Sequence, residues 1–568
     1  MPLTWPDPPL PDEVLAELVG PGAPFELVEE QVLGARMAVF ARRPSTLVEL
    51  LGAGAGRFAG RPYLVFPERC VTFDQAAGAA AVVAANLQRR YRVGKGDRVA
   101  IASANCIEYA LTFWAATMLG AITVALNGWW TGPEMAYALE LTRPAVLLGD
   151  DRRLDRLDRQ TGGWLGELPV VRFEHDFAAL EEPGPAAAVP AMDEDEPYLI
   201  LFTSGTTGRP KGVMVTHRNT VHFGLAMQLR AAEGRARARL AGQTAGEPPL
   251  PCAVNASPMF HVSGLNCTMA LGPLTGQTYL YPPPGRWREE DQLRLTEQYR
   301  ATQWTVVPTQ LWRLLDWPEL DRYDLSSLNQ IGGGSSVWPP ELLRRLEQRL
   351  PWVRPRLGMG YGMTETNGFG TSLGGQDSYL HPDSIGRPAP TVAVEIRDPV
   401  TRAALPEGVV GEVALRSACN FLGYWDDPTA TAEALDADRW YHTGDLGLHR
   451  DGVIRLEGRR QDLIIRGGEN VYPVEIENRL YEHPGVAEAA VVGVDHPTLG
   501  QEVKAYVVVK DGVATDPEEL RQFCAAALAA FKVPRYVELV DALPHNAAGK
   551  VLKHLLGRPQ AASDFVEE

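Results

Sequence analysis

The chain has 568 residues, of which 22% are charged and 45% are hydrophobic, as in a globular protein with a large core. Its formal net charge of −17 argues against a nucleic-acid-binding protein, because such proteins carry a basic surface. Six scattered cysteines without a CxxC pair argue against a zinc site or a disulfide framework. Together with an N-terminus that lacks the pattern of a signal peptide, they predict a cytoplasmic location.

The first part of the chain is predicted to alternate strands and helices. A proline-rich arm over residues 1–24 precedes apolar runs such as "RVAIASA" and "AVLLGD", each followed or preceded by a helical pattern. This alternation predicts βαβ units and a mainly parallel sheet. The run "YLILFT", Tyr198–Thr203, predicts a further buried strand that leads directly into a glycine-rich loop.

An uncharged stretch of chain, Tyr109–Leu126, reaches the lower end of the length that spans a membrane. Gly120 divides it into a helical half and the β-branched run "AITVAL". We therefore predict a buried helix followed by a core strand, and no transmembrane segment.

The glycine-rich loop reads "TSGTTGRPKG", Thr203–Gly212. Glycines let another molecule approach the backbone closely, and successive backbone N–H groups can form a concave anion site. The spacing differs from the P-loop of ATPases, because Pro210 precedes Lys211 and Gly212 follows it. We predict a phosphate-binding loop of another kind; the alternative is a glycine-rich connection without a ligand.

Five later clusters also have the composition of an enzyme site. They are "SPMFHVSG" with His261, "YGMTET" with Glu365, "RWYHTGDLG" with Asp445, "EGRRQDLIIRGGENVYP" with Arg459, and "LPHNAAGKVLK" with Lys550. A carboxylate such as Glu365 suits Mg²⁺, a hard cation that prefers oxygen. Asp445 can accept hydrogen bonds from ribose hydroxyls, and a lysine at position 550 can neutralise charge at a reacting phosphorus.

In this order, these segments resemble the adenylate-forming superfamily of acyl-CoA synthetases, peptide-synthetase adenylation domains and luciferases, from about Ser45 to the end of the chain. Within the superfamily the chain looks most like an actinobacterial-style fatty-acid or aryl-acid CoA ligase. The resemblance implies an α/β fold with a large N-terminal domain of βαβ-type sheets plus a small β-rich subdomain, and a small mobile α+β C-terminal domain. We place the large ATP- and acyl-binding domain at 1–457, a hinge at 458–462 and the small domain, with its catalytic lysine, at 463–568.

The resemblance also implies a reaction in two steps. A carboxylic acid attacks the α-phosphorus of ATP with Mg²⁺ to give acyl-AMP and pyrophosphate, and the thiol of coenzyme A then displaces AMP. It further allows a homodimer.

The site residues that the resemblance implies fall into groups. Lys550, Thr206, Glu365 and His261 are catalytic, with Thr206 and Glu365 at the metal. The phosphate loop contains Thr203, Ser204, Gly205, Thr206, Thr207, Gly208 and Lys211. Gly333, Tyr361, Gly362, Met363 and Thr364 line the adenine and α-phosphate side. Asp445 and Arg459 bind ribose, and Arg466, Gly467 and Gly468 line the thiol tunnel. Gln461 departs from the aspartate or lysine usual at the hinge.

Several alternatives stay open from sequence alone. The acceptor of the acyl group is either coenzyme A or the phosphopantetheine arm of a carrier protein. A nucleotide-binding sensor without catalysis is a non-enzymatic alternative, which Lys211, Glu365 and Lys550 argue against. His261 can be structural, and the Trp129–Trp130 pair favours core packing over substrate stacking. The identity of the acid is not encoded in a readable pattern, although "SPMFHVSGLN" lacks the aspartate typical of amino-acid substrates.

Overall fold

The structure is a computed structural model. It describes residues 10–163, 166, 168–203, 209–240, 242, 250–285, 287–333, 340–374, 381, 384–467, 469–510, 512–545 and 551–556, with backbone alone at 340 and 354–357. The α-helices in these ranges are Asp12–Val19, Leu47–Arg57, Phe73–Tyr91, Ile107–Met118, Gly132–Thr142, Asp151–Thr161, His217–Leu240, Val262–Asn266, Gly272–Thr275, Glu289–Tyr299, Pro308–Leu315, Pro340–Arg349, Pro428–Ala434, Pro473–Tyr481 and Pro517–Ala525.

One sheet has seven strands within the described ranges, and it carries the predicted phosphate loop near one edge. In spatial order the strands are Gly423–Tyr424, Lys211–Thr216, Pro197–Thr203, Ile122–Ala125, Arg98–Ala102, Val146–Gly149 and Val170–Arg172. The last five are parallel to one another, as the βαβ alternation predicts, and the first two are antiparallel additions.

A longer sheet joins a mainly parallel half, which ends in one antiparallel pair, to an antiparallel half. In spatial order its strands are Val392–Arg397, Gly411–Ser417, Tyr441–Arg450, Val453–Arg459, Ser384–Pro388, Thr371–Gly374, Leu357–Tyr361, Gln330–Gly333, Gln303–Thr305, Cys252–Asn255, Thr278–Leu280, Pro62–Val65 and Cys70–Thr72. The strands up to Leu357–Tyr361 are antiparallel and correspond to the predicted β-rich subdomain. Leu357–Tyr361 is therefore where the two kinds of sheet meet.

The C-terminal part of the chain builds a separate small sheet against two helices. Its strands are Glu469–Val471, Ile464–Arg466, Gly500–Val509, Val486–His496 and Tyr536–Leu539. Helices Pro473–Tyr481 and Pro517–Ala525 pack on it through Ile476, Leu480 and Leu520, which are fully buried. The mixed α/β fold with a large and a small domain is confirmed, whereas the exact boundaries at 457, 458–462 and 463 stay predictions.

The uncharged stretch at 109–126 lies in the core of the large domain. It forms the buried end of helix Ile107–Met118 and then the strand Ile122–Ala125, with Gly120 between them at φ +66°. Phe113 and Trp114 are fully buried, so the apolar length serves packing. Across the described ranges, no helix is both long enough and apolar enough to cross a membrane.

An N-terminal hairpin, Leu27–Val32 with Ala35–Phe40, is tied to the seven-stranded sheet by an ion-pair network. Arg43 forms ion pairs with Glu30 and Glu194, each at an N–O distance of 2.8 Å. Arg218 binds Glu194 and Asp195, each over 2.6 Å. Glu194 and Asp195 precede the strand that leads to the phosphate loop. The network therefore fixes the start of that strand.

Candidate active site

The predicted phosphate loop is closed at its base by a β-ladder. Strands Pro197–Thr203 and Lys211–Thr216 are antiparallel, and their register pairs Thr203 with Lys211. Residues Ser204, Gly205, Thr206, Thr207 and Gly208 lie outside the described residues, and their contacts stay predictions. Thr203 ends one strand and Lys211 begins the strand paired with it, so both ends of the loop lie side by side on the sheet.

The side chain of Tyr424 interacts with both Lys211 and Glu365. The ammonium of Lys211 lies 5.0 Å from the ring centre of Tyr424, and the Tyr424 hydroxyl donates a 2.9 Å hydrogen bond to Oε1 of Glu365. The short strand Gly423–Tyr424 reaches this point because it pairs with Lys211–Thr216, Val213 opposite Tyr424. The sheet thus brings the loop lysine, an aromatic ring and a carboxylate together.

Glu365 is a buried carboxylate, only 8% exposed. Burial raises its pKa, and the hydrogen bond from Tyr424 and the charges of Arg459 and Lys211 oppose that shift. Among the described residues, Tyr424 makes the one side-chain hydrogen bond to this carboxylate, and it is made to Oε1. An acceptor-only oxygen held in this setting is chemically suited to a bound cation.

A second cluster lies where the antiparallel strands meet Leu357–Tyr361. The hydroxyl of Tyr361 donates a 2.8 Å hydrogen bond to Oδ2 of Asp445, and Nε of Arg459 lies 3.1 Å from Oδ1 of the same carboxylate. Burial lowers the pKa of the Arg459 guanidinium, but Asp445 and the other acidic groups around it together outweigh burial, and the pKa is raised. Asp445 and Arg459 are register partners on adjacent strands, which explains their approach.

The turn "GMTETNG" between these clusters is built so that only small residues fit at its ends. A Cβ at Gly362 would lie 2.5 Å from the carbonyl carbon of Gly368. Thr364 and Glu365 lie in a short 3-10 helix, Thr364–Thr366, and Asn367 follows with φ +54°. The carbonyl and side chain of Asn367 both accept from the amide of Asn266. This packing fixes the direction in which Glu365 leaves the backbone.

His261 precedes helix Val262–Asn266 and its ring is enclosed by aromatic side chains. The ring centre lies 5.1 Å from that of Phe260 and 6.2 Å from that of Trp129. Its Nε2 is buried and has no hydrogen-bond partner in the described part of the chain. Burial lowers the pKa of His261 to about 4, so the imidazole is neutral at physiological pH.

The loop that carries Trp129 is held by two arginines of helix Asp151–Thr161. Nε of Arg153 donates to the carbonyl of Gly128 over 3.0 Å, and Nη1 of Arg156 donates to the carbonyls of Gly128 and Trp130 over 3.1 and 3.0 Å. Arg153 also pairs with Asp150 over 2.9 Å and its side chain is only 7% exposed. Trp129 itself packs edge-on against Phe260 at 4.7 Å. Trp129 and Trp130 are both partly buried and pack against the border of the core, Trp129 next to His261.

The C-terminal candidates occupy their own sheet. Arg466 forms a two-pronged ion pair with Glu502, with Nη2 at 2.9 Å and Nε at 2.5 Å from its oxygens. Gly467 follows at φ +61° and its N–H donates to Leu499 over 2.8 Å. Gly468 and Lys550 lie outside the described residues. The bridge between His545 and Val551 shows that the two sides of the lysine segment run antiparallel.

Of the residues predicted from sequence, the structure brings Lys211 close to Glu365, and Tyr361 close to Asp445 and Arg459. Gly333 and Met363 lie on the ends of neighbouring elements, strand Gln330–Gly333 and the turn after Leu357–Tyr361. Tyr424, Arg153 and Arg156 were not predicted from the sequence. The only signal for Tyr424 was an isolated aromatic run, "FLGYW", and nothing marked the two arginines among their neighbours.

The model of the family described as AMP-binding enzyme matches residues 52–425. The chain belongs to the AMP-binding enzyme family. The C-terminal domain of the same enzymes matches residues 475–550.

Named relatives align with most of this chain. The indoleacetate–CoA ligase of Aromatoleum aromaticum is 32% identical over 533 residues, 92% of this chain and 99% of its own. The feruloyl-CoA synthase of an Amycolatopsis species is 34% identical over 474 residues, 83% of this chain and 90% of its own. The crystal structure of ATP-bound MatB from Rhodopseudomonas palustris superposes with a TM-score of 0.77 at 28% identity, covering 90% of this chain and 98% of MatB.

These findings confirm the resemblance drawn from the motifs. The protein is an AMP-forming acid–thiol ligase that uses ATP and coenzyme A. Coenzyme A is thereby favoured over a carrier protein as the acceptor.

Proposed function

We propose that the protein activates a fatty or aryl carboxylic acid as its acyl-adenylate in the cleft bounded by Lys211, Glu365, Tyr361 and Asp445, and then transfers the acyl group to coenzyme A. The observation that carries this proposal is the Lys211–Tyr424–Glu365 cluster at the base of the phosphate loop. The substrates named for the relatives, indoleacetate and ferulate, are aryl acids and support that half of the class.

The first step is a displacement at phosphorus. A carboxylate oxygen of the acid forms a bond to the α-phosphorus of ATP while the bond to pyrophosphate breaks. Lys211, at the end of the loop, supplies positive charge where pyrophosphate leaves. Asp445 has both oxygens occupied by Tyr361 and Arg459, so its position is fixed before ribose arrives and little reorganisation is needed.

Glu365 fits a magnesium ion. Its second oxygen has no side-chain partner among the described residues, and burial raises the pKa of its carboxyl. We propose that Glu365 and Thr206 hold Mg²⁺, which when bound neutralises phosphate charge. Tyr424 keeps Oε1 oriented, and the short 3-10 helix fixes the backbone of Glu365.

In the second step the thiol of coenzyme A attacks the acyl carbon and AMP leaves, the thiol proton passing to solvent. We propose that His261 shapes the point where acyl group and thiol meet. Because burial lowers its pKa to about 4, it acts there as a neutral ring that can accept a hydrogen bond.

Lys550 is proposed to bridge the acid carboxylate and the α-phosphate in the first step. Arg466, Gly467 and Gly468 are proposed to line the thiol tunnel, with domain rotation at Gln461. A homodimer and a cytoplasmic location remain predictions.

The test is AMP formation from ATP with and without coenzyme A, across fatty acids, benzoates, cinnamates, arylacetates and amino acids. We expect AMP release that requires coenzyme A with at least one fatty or aryl acid. Activity with amino acids alone would contradict the substrate class.

A variant separates the role of the C-terminal lysine from folding. Lys550→Ala should slow acid-dependent pyrophosphate release sharply while ATP binding persists, and Lys553→Ala, near in sequence but ion-paired with Glu477, is the matched control. Unchanged pyrophosphate release in Lys550→Ala would contradict that assignment.

A further inference from the structure

The long helix His217–Leu240 follows the phosphate hairpin and turns one face toward the turn that carries Glu365. Phe223, near its start, packs edge-on against Phe369 with ring centres 6.2 Å apart. Phe369 follows the 3-10 helix of Glu365 within a few residues. Phe223 thereby joins this helix to the turn that carries Glu365, which is proposed to lie at the reacting end of the acid.

Arg230 shares that face. Along the helix it comes just under two turns after Phe223, roughly 10 Å further along the axis, so the two side chains point within about 20° of each other. Met227 lies between them on the same side. The other faces are occupied. Gln228 donates to the carbonyl of Leu274 over 3.0 Å, and Arg239 pairs with Glu17 over 3.0 Å. Arg230 thus lies further along the surface that Phe223 begins.

The guanidinium of Arg230 is partly buried, and it is unpaired among the described residues. No hydrogen bond or ion pair joins it to another residue of the described part of the chain, and its side chain is only partly exposed. Burial lowers its pKa to about 10. A desolvated guanidinium without a partner is costly, so a folded protein normally supplies one.

The charges around Arg230 do not balance. Glu233, one turn further on, lies 3.9 Å from Arg237. Burial also raises the pKa of the Glu233 carboxyl, which weakens it as a counter-ion. These three groups on one face carry two positive charges and at most one negative charge. The imbalance favours an anion beside Arg230.

We propose that Arg230 binds a second carboxylate of the substrate, so that the acid this ligase activates is a dicarboxylic acid. The proposal rests on the proposed function and specifies its substrate class. The near carboxylate reacts with ATP, and the far carboxylate receives a charge-assisted hydrogen bond from the guanidinium. This arrangement gives the buried cation its partner only when substrate is bound.

The experiment compares acids that differ only at the far end. Straight-chain diacids from adipate to dodecanedioate are assayed beside their monomethyl esters and the monoacids of equal length, and para-carboxycinnamate beside cinnamate. We expect one diacid to exceed its half-ester and its monoacid about 10- to 100-fold in kcat/KM, mostly through KM. Equal or better use of monoacids or half-esters would overturn the proposal while leaving the proposed function intact. No AMP formation with any acid would contradict both.

Variants of Arg230 supply the second arm. Arg230→Met should remove the preference for the diacid with little change for the monoacid, and Arg230→Lys should retain part of it. Arg235→Met, at an exposed position of the same helix, is the matched control. Because a desolvated charge is removed, the Arg230→Met protein should melt at the same or a higher temperature than the wild type. A lower melting temperature together with equal losses for diacid and monoacid would show a structural arginine and overturn the proposal.

Discussion

The hydroxyl of Tyr361 and the carboxylate of Asp445 are joined by a 2.8 Å hydrogen bond between two strands that are far apart in sequence. Arg459 binds the other oxygen of Asp445, so the carboxylate is held from both sides. The orientation of the proposed ribose ligand is thus set by the antiparallel half of the long sheet.

Asp445→Asn should weaken ATP binding by about 10- to 100-fold, because hydrogen bonds to a charged group contribute about 1.5–3 kcal/mol. Tyr361→Phe should have a smaller effect, since Arg459 still orients the carboxylate. Isothermal titration of ATP measures both, with Tyr299→Phe at an exposed helix end as the control. Wild-type affinity in Asp445→Asn would rule out this residue as a nucleotide ligand.

Glu365→Gln should lower acid-dependent pyrophosphate exchange by about 100-fold or more, as expected when a group that stabilises transferring charge is lost. Folding should respond in the opposite direction. The raised pKa means that the folded state holds this proton more tightly than the unfolded state, so the wild type loses stability as pH rises above the ordinary glutamate range. Glutamine keeps the Tyr424 hydrogen bond without the buried charge.

Melting temperatures without ATP or metal, at pH 4.5 and pH 8, test this second effect, because the loss begins at the ordinary glutamate pKa. The Glu365→Gln protein should be at least as stable as the wild type, with the larger advantage at pH 8. Glu68→Gln, on an exposed loop, is the control. A clear loss of stability at pH 8 would mean that the carboxylate is structural.

His217 and His261 both have a pKa lowered to about 4 by burial. Their folded forms bind protons less readily than the unfolded chain, so they stabilise the protein fully above pH 6.5 and lose that contribution as pH falls toward 4. The raised pKa of Glu365 opposes this trend at its acid end. Urea unfolding at pH 7.5 and pH 5.5 should therefore show a smaller pH dependence in His261→Gln than in wild type. His554→Gln, which is exposed, should match the wild type.

Arg153→Met should destabilise the protein by about 3 kcal/mol, because it removes the buried ion-pair partner of Asp150 and one of the two arginines that donate to the carbonyl of Gly128. The exposed Arg159 of the same helix provides the matched variant, Arg159→Met, expected within about 0.5 kcal/mol of wild type. Since the Gly128 loop carries Trp129 against His261, KM for the acid or coenzyme A should rise in the surviving Arg153→Met enzyme. Equal unfolding free energies for both variants would contradict this role.

The sequence predicted the parallel strands well because apolar runs such as those around Val99 and Leu147 are buried on both faces. It also predicted the helix-to-strand change at Gly120, since a positive φ suits glycine there. The motif residues were found because glycines and charged groups cluster around them. Tyr424 and Arg153 escaped notice because their importance comes from pairing between distant strands and from burial. Neither property leaves a local pattern.

The register pair Thr203–Lys211 has a consequence for how the chain tolerates change. Its β-ladder already brings the two ends of the phosphate loop together, so chain closure there is a property of folding rather than of nucleotide binding. Loop-closure entropy grows slowly, by about 0.6 kcal/mol for each doubling of length. Residues inserted between 203 and 211 should thus leave the fold nearly intact while displacing the groups that meet phosphate. Related chains whose loops differ in length at this point should therefore share the fold but differ in phosphate binding.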